Sequence, residues 1–290
     1  MFSNSGATGV LVRCQGIFLL IVLVLIAIKQ VLAGDLSDNT LVISGELSQG
    51  GLLVGKVLPS QKIFLKGEQL YTAGDGTYIV GLGRKADKQL ELTVVSADGS
   101  ASQHSFSVAQ RSYSLQEVNG VPQRTVTPDQ NDLVRIRRDA AMVKQSRREI
   151  SSRVDFLSGF IRPVNGPITG VYGSQRVFNG VPGSPHYGID YAAPTGTSVI
   201  APAGGKVVFA HPDLFYSGGT LIIDHGFGLS STFLHLSELL VEIGDEVSLG
   251  DSVAKVGATG RATGPHLDWR MNWRDVRIDP QLVLKALPRR

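Results

Sequence analysis

The chain has 290 residues, with 28 Lys and Arg against 25 Asp and Glu and a single cysteine. A hydrophobic fraction of 42% suffices for a core and excludes wholesale disorder, and a net charge of +3 is too mild to argue for a nucleic-acid partner. One cysteine excludes an internal disulfide and any CxxC-type zinc or redox pair, so a metal must be held by His, Asp or Glu.

The first element is an address. Arg13 precedes an unbroken apolar run, Gly16 to Ile28, which Lys29 closes. The run matches a signal h-region and falls short of the roughly 20 residues that span a bilayer as a helix. Val31-Leu32-Ala33 then places small residues where a signal peptidase reads them. Residues 1–33 are therefore expected to be a signal peptide, cleaved after Ala33, with an uncleaved membrane anchor as the rival. Either way the remainder lies outside the cytoplasm, in the periplasm or cell envelope.

Residues 34–112 read as a small β-sandwich-like domain. Short apolar-alternating runs (LVISGEL, GLLVGKV, KIFLKG, TYIVGLG, LELTVVSADG, HSFSVA) are separated by turn signals at Gly50-Gly51, Asp75-Gly76 and Asp98-Gly99. His104 stands near a strand end without a second ligand-type residue and reads as a surface histidine.

Residues 113–158 read as a linker with an amphipathic helix. Thr127-Pro128-Asp129-Gln130 carries a start signal, with Thr as cap, Pro at the first helical position and Gln completing a capping box. Apolar residues repeat from Leu133 through Leu157, a seam spoiled at Arg147. The arginines of this segment make it basic, which on a helix is usually a solvated face.

Residues 159–290 change texture again. Gly, Pro and β-branched residues dominate, and the runs VIAPAGGKVVFA, GGTLIIDHG, LSSTFLHL and DSVAKVGATG predict a second, larger all-β domain. Its histidines fall at informative places. In His186-Tyr187-Gly188-Ile189-Asp190, residues four apart on an extended strand project to one face. His266 and Asp268 share a face of another strand, with Leu267 toward the core, and His235 alternates in Phe233-Leu234-His235-Leu236. His225 fits a turn, and His211, before Pro212, a loop.

Together these stretches, from roughly Pro163 to Pro280, resemble the LytM/lysostaphin-type zinc metallopeptidase domain, and the segment GELSQGGLLVGKVLPSQKIFLKG resembles the small β-domain that precedes it in some envelope proteins. The resemblance implies a mainly β fold with an antiparallel sheet and an open groove, and hydrolysis of the peptide cross-links of bacterial peptidoglycan. It makes His186 and Asp190 ligands of one zinc ion and His235 and His266 the catalytic histidines. The third ligand is expected two residues after the second catalytic histidine, as a His; here it is Asp268. One His and two carboxylates leave bound Zn²⁺ near neutral, so weaker zinc binding or a higher pH optimum than in a His-ligated relative is expected, and higher zinc affinity in Asp268→His would mark Asp268 as a working but suboptimal ligand.

Arg270 would share the face of Asp268, orienting it or neutralising it and keeping the metal out; Tyr187, Trp269 and Arg270 are the candidates to line the groove. Peptidoglycan peptide stems are the expected partner. The alternative is a catalytically degenerate wall-binding protein or an activator of a cell-wall amidase, with an amidase or a division or envelope protein as partner.

Overall fold

In the computed structural model the described residues are Leu41 and residues 44–289. The expected signal peptide, Met1 to Ala33, and its cleavage site lie outside them. No helix among the described residues is long and apolar enough to cross a membrane.

The first half is a pair of small antiparallel sheets. Strands β1 (Leu52–Lys56) and β4 (Thr77–Gly81) form one; β2 (Lys62–Leu65), β3 (Glu68–Gln69), β5 (Gln89–Val95) and β6 (Ala101–Ser107) form the other, in the order β3-β2-β5-β6. Alternation makes the sandwich: Leu90, Leu92 and Val94 of β5 are buried while Gln89 and Glu91 are exposed. The Asp75-Gly76 turn forms as the sequence suggests, with Asp75 accepting from the Thr77 amide at 3.1 Å and Gly76 at φ +85°. The first expected strand falls partly on residues outside the description; its Ser44 bridges Val54. His104 lies within β6, 3.0 Å from the Ser102 hydroxyl.

The next segment is woven into the second half. Strand β7 (Leu115–Val118) pairs in parallel with β9 (Gln175–Phe178). Helix α1 (Gln130–Ser146) lays Met142 and Val143 on Phe209, Leu214 and Ile222. Its start differs from the sequence expectation. The cap is Asp129, not Thr127, because the Asp129 carboxylate accepts from the Asp132 amide at 2.8 Å. Asp129→Ala should lower stability by about 1 kcal/mol, read as a shift in the urea unfolding midpoint. Its end differs too, at Ser146 rather than near Leu157. Beyond it the chain is tied to the large sheet: Ser151 donates to Asp224 at 2.5 Å and accepts from the Phe227 amide, and Arg153 pairs with Asp155 and Glu246. Those bonds outbid the helical repeat.

The second half is built on an eight-stranded antiparallel sheet. Its members are β8 (Ile168–Gly170), β11 (Gly188–Ala192), β13 (Gly205–Leu214), β14 (Gly218–Gly226), β15 (Leu229–Leu236), β17 (Glu246–Val247), β19 (His266–Trp273) and β20 (Val276–Ile278). The order is β17-β13-β14-β15-β19-β11-β8, with β20 on β19. Short strands β10 (Val181–Pro182), β12 (Ser198–Ile200), β16 (Glu238–Leu239) and β18 (Ser252–Lys255) build two side sheets, and α2 (Pro280–Ala286) closes the described chain. The architecture is mainly β, as expected, with α1 and α2 the α-helices among the described residues.

The central strands are buried on both faces, and the two faces differ. Ile189, Tyr191, Phe233, Leu267, Trp269 and Met271 face the core. Asp190, Asp268, Arg270, Thr232 and Leu234 occupy the other face, where α1 lies. Trp273 alternates to the core face and meets the first sandwich there: a Cβ on Gly81 would stand 2.6 Å from its Cβ. One hydrophobic core therefore runs from the sandwich into the large sheet. This alternation corrects one sequence expectation. Trp269 is fully buried on the core side, opposite Asp268 and Arg270, and does not line the groove.

Candidate active site

Strand pairing brings three ligand-type side chains together. Asp190 of β11 lies directly opposite Asp268 of β19, and His186 sits two residues before β11 on the same side. Ligand atoms of His186, Asp190 and Asp268 lie within 4.8 Å of one another, and all three residues are buried. Two glycines make the space. A Cβ on Gly188 would stand 2.2 Å from Asp268 Oδ1, and one on Gly170 2.2 Å from Asp190 Oδ2.

Both nitrogens of His186 and Oδ1 of Asp190 are buried without a hydrogen-bond partner. His186 Nε2 lies 3.2 Å from that oxygen, but the direction is wrong for a hydrogen bond. Buried polar atoms are rarely left so, and three of them converging is what a cation site looks like. The set fits one divalent cation: an imidazole nitrogen and two carboxylate oxygens are legitimate zinc ligands.

Each carboxylate also has a guanidinium. Arg176 Nη2 donates to Asp190 Oδ2 at 2.5 Å. Arg270 donates to Asp268 through Nη2 to Oδ2 at 2.6 Å and through Nε to both oxygens at 3.1 Å. Burial alone would raise the Asp268 carboxyl; Arg270 and His186 override it and hold the group well below the usual carboxylate range. Burial and Asp268 push Asp190 up, and His186 and Arg176 outweigh them, so it too stays below its ordinary value. A carboxylate has about four lone-pair positions, so these bonds leave room for a metal. The charge does not invite one: two carboxylates and two guanidiniums already sum to zero.

His235 and His266 stand as a pair, with ring centroids 4.8 Å apart. His235 Nδ1 lies 2.7 Å from the Thr259 carbonyl, and His266 Nδ1 2.8 Å from that of Gly264. A carbonyl only accepts, so each Nδ1 carries a proton, and in the neutral ring it is Nε2 that keeps the lone pair. Burial lowers His235 to about 4; His266 adds to this and Asp268 opposes it. His235 also holds φ +64°, a left-handed conformation uncommon outside glycine and concentrated at functional sites.

Of the other candidates, Tyr187 is half-buried, edge-on to Tyr172, with Arg277 stacked 4.6 Å over its ring. His225 is not in a turn. It closes β14, fully buried, its Nδ1 2.7 Å from the Gly204 carbonyl and its Nε2 2.8 Å from Ser231 Oγ. His211 lies in β13 rather than a loop, stacked on Phe209. Sequence reasoning missed Arg176, which reaches Asp190 from β9 with its own Nε 3.3 Å from the Gln116 amide oxygen. It missed Arg147 and Arg277 as groove residues, and no local spacing marks any of the three.

Residues 184–280 match the model of peptidase family M23. Over 105 residues the chain is 42% identical to the peptidoglycan DD-endopeptidase ShyA of Vibrio cholerae, covering 36% of this chain and 23% of that protein. Over 103 residues it is 40% identical to the DD-carboxypeptidase/endopeptidase Mpg of Neisseria meningitidis, covering 36% and 23%. The chain thus spans less than a quarter of the length of these curated relatives. The crystal structure of a Pseudomonas aeruginosa protein described as a peptidase M23 superposes with a TM-score of 0.66 at 32% identity, covering 83% of this chain and 96% of that one. At that coverage the match extends well beyond residues 184–280, and the chain belongs to peptidase family M23.

Proposed function

We propose that the chain is an exported metallopeptidase that hydrolyses peptide cross-links of bacterial peptidoglycan. The observation that carries this reading is the His235–His266 pair, each Nε2 held free by a carbonyl on Nδ1, beside three convergent ligand residues. The names of the M23 relatives, cell-wall DD-endopeptidases among them, support the substrate class. The apolar run before Lys29 supports export to the periplasm or envelope.

His186, Asp190 and Asp268 would hold one zinc ion, which when bound supplies a polarised scissile carbonyl and a more acidic water. The histidines do the rest. One Nε2 accepts a proton from the attacking water as its oxygen bonds to the carbonyl carbon. The protonated ring keeps its Nδ1 bond and passes the new proton to the amine nitrogen as the C–N bond breaks. The second ring, on the same side, orients the water. Thr259 and Gly264 fix both rings in the required tautomer.

Purified protein incubated with a cross-linked stem-peptide dimer should release monomers, and a chelator should stop it. His235→Ala and His266→Ala should each lower the rate by about 10²–10⁴-fold. Full activity in both variants, or none in the unchanged protein after zinc is added, would end the reading.

One observation favours a second reading, a non-catalytic wall-binding protein or amidase activator. Arg270 neutralises Asp268 through three contacts, so the carboxylate already has a cationic partner in this chain. On that reading Asp190→Ala leaves the cellular role intact.

A further inference from the structure

Beside the His/Asp/Asp site lies a cleft of about 210 Å³ between α1 and the same face of the sheet. Three arginines converge on it: Arg147 just past α1, Arg270 on β19 and Arg277 on β20. Arg270 has Asp268 as counter-ion. Arg147 has only a long 3.5 Å contact to Thr232 Oγ1, and the Arg277 guanidinium only the face of Tyr187. Neither forms an ion pair among the described residues, whereas Arg176, Arg135 and Arg153 all do. The one carboxylate in the lining, Asp139, is taken up by Arg135 and Arg138, and Asp275 acts on Arg147 without forming an ion pair with it, so an anion entering the cleft would meet guanidiniums with free donors. Arg277 is an exposed residue at the rim; desolvation first, then Arg270 and Arg147, lowers it to about 10, with Tyr187 and Asp268 opposing.

The rest of the lining says what kind of anion. Ile136, Val143 and Leu214 give one wall an aliphatic surface, and Thr232 and Asn272 place polar groups on the sheet side. Asn272 is itself a buried residue, so its amide is held on that wall. A short aliphatic segment ending in an acid satisfies both walls, and guanidinium forks match a carboxylate bidentately. The volume suits one residue of a ligand, since whole small-molecule pockets run to about 300–1,000 Å³.

We propose that this cleft is a carboxylate subsite that holds an acidic end of the stem peptide next to the metal-ligand cluster. The proposal rests on peptidoglycan peptides being what the groove takes, and it names the part of them that Arg147 and Arg277 hold.

Binding is measured on the full chain by calorimetry with chelator present, so that no turnover is needed. The probes are a stem tetrapeptide with free carboxylates, the same peptide fully amidated, and inorganic phosphate. The acid peptide should bind at least tenfold more tightly than the amide. Arg147→Gln and Arg277→Gln should each remove about tenfold from the acid peptide and nothing from the amide, and Arg277→Lys should fall between. Equal affinity for acid and amide overturns the proposal on the unchanged protein alone, whatever the variants do to folding. Phosphate binding as tightly as the acid peptide overturns the peptide assignment. The two readings fail separately. Tight, arginine-dependent binding without hydrolysis leaves the subsite and removes the peptidase; cleavage with no acid preference does the reverse.

Discussion

Arg270→Leu should bind zinc about a hundredfold more tightly than the unchanged chain. The reason is competition for Asp268. Arg270 covers both oxygens with contacts of 2.6, 3.1 and 3.1 Å, and a hydrogen bond between charged groups is worth about 1.5–3 kcal/mol. A metal must share or displace those contacts. Removing the guanidinium frees the ligand and also removes a positive charge from beside a dication, an effect that grows as the local dielectric falls. Asp268 is 1% exposed, so solvent screens little of it. The variant leaves a buried carboxylate unpaired, which makes the metal-free state less stable and the metal-bound state comparatively better. A competition titration against a chromophoric zinc chelator reads the affinity directly, without reference to hydrolysis. An unchanged constant would show that Arg270 orients Asp268 without opposing the metal.

That expectation was half visible in the sequence. His266, Asp268 and Arg270 alternate with Leu267 and Trp269, so period-two reasoning already put the Asp and Arg on one face. The same reasoning, applied consistently, puts Trp269 in the core, and its adjacency to the motif misled. His186 and Asp190 were legible for the same local reason. What was not legible is what arrives from far along the chain. Arg176 reaches Asp190 from a strand held in place by β7, a pairing across about sixty positions of sequence that no window registers. Arg147 read as a flaw in a helical seam. In the structure it is the first residue beyond the helix, and it faces the groove because Ser151 and Arg153 bind the following segment to the sheet. The helix cap slipped by two residues because Thr127 and Asp129 both satisfy the cap rule, and only the fold decides which side chain meets the Asp132 amide. Composition and patterning fixed the β-rich class. Cross-strand register decided which charges meet.

Asp268→His alone should fail to improve zinc binding and should destabilise the fold by about 3 kcal/mol. The family resemblance alone would favour a gain, since the change restores the two-histidine, one-carboxylate set it calls for. The structure supplies the missing partner. Arg270 has Asp268 as its counter-ion, and its side chain is only 26% exposed, so the substitution strands a guanidinium against the new imidazole. The charge count worsens as well: one carboxylate and two guanidiniums leave the empty site at about +1, where the unchanged site is neutral. A histidine ligand is then gained in a field that repels the metal. Asp268→His combined with Arg270→Leu removes the stranded charge with the carboxylate and should bind zinc more tightly than either the unchanged chain or Asp268→His. The cycle needs four proteins, each with a zinc titration and a urea unfolding curve. A coupling of more than about 1 kcal/mol in both readouts means that Asp268 and Arg270 act as one unit. If Asp268→His alone reaches the affinity of the double variant, the two residues are independent, and the carboxylate is merely a poorer ligand than the imidazole it replaces.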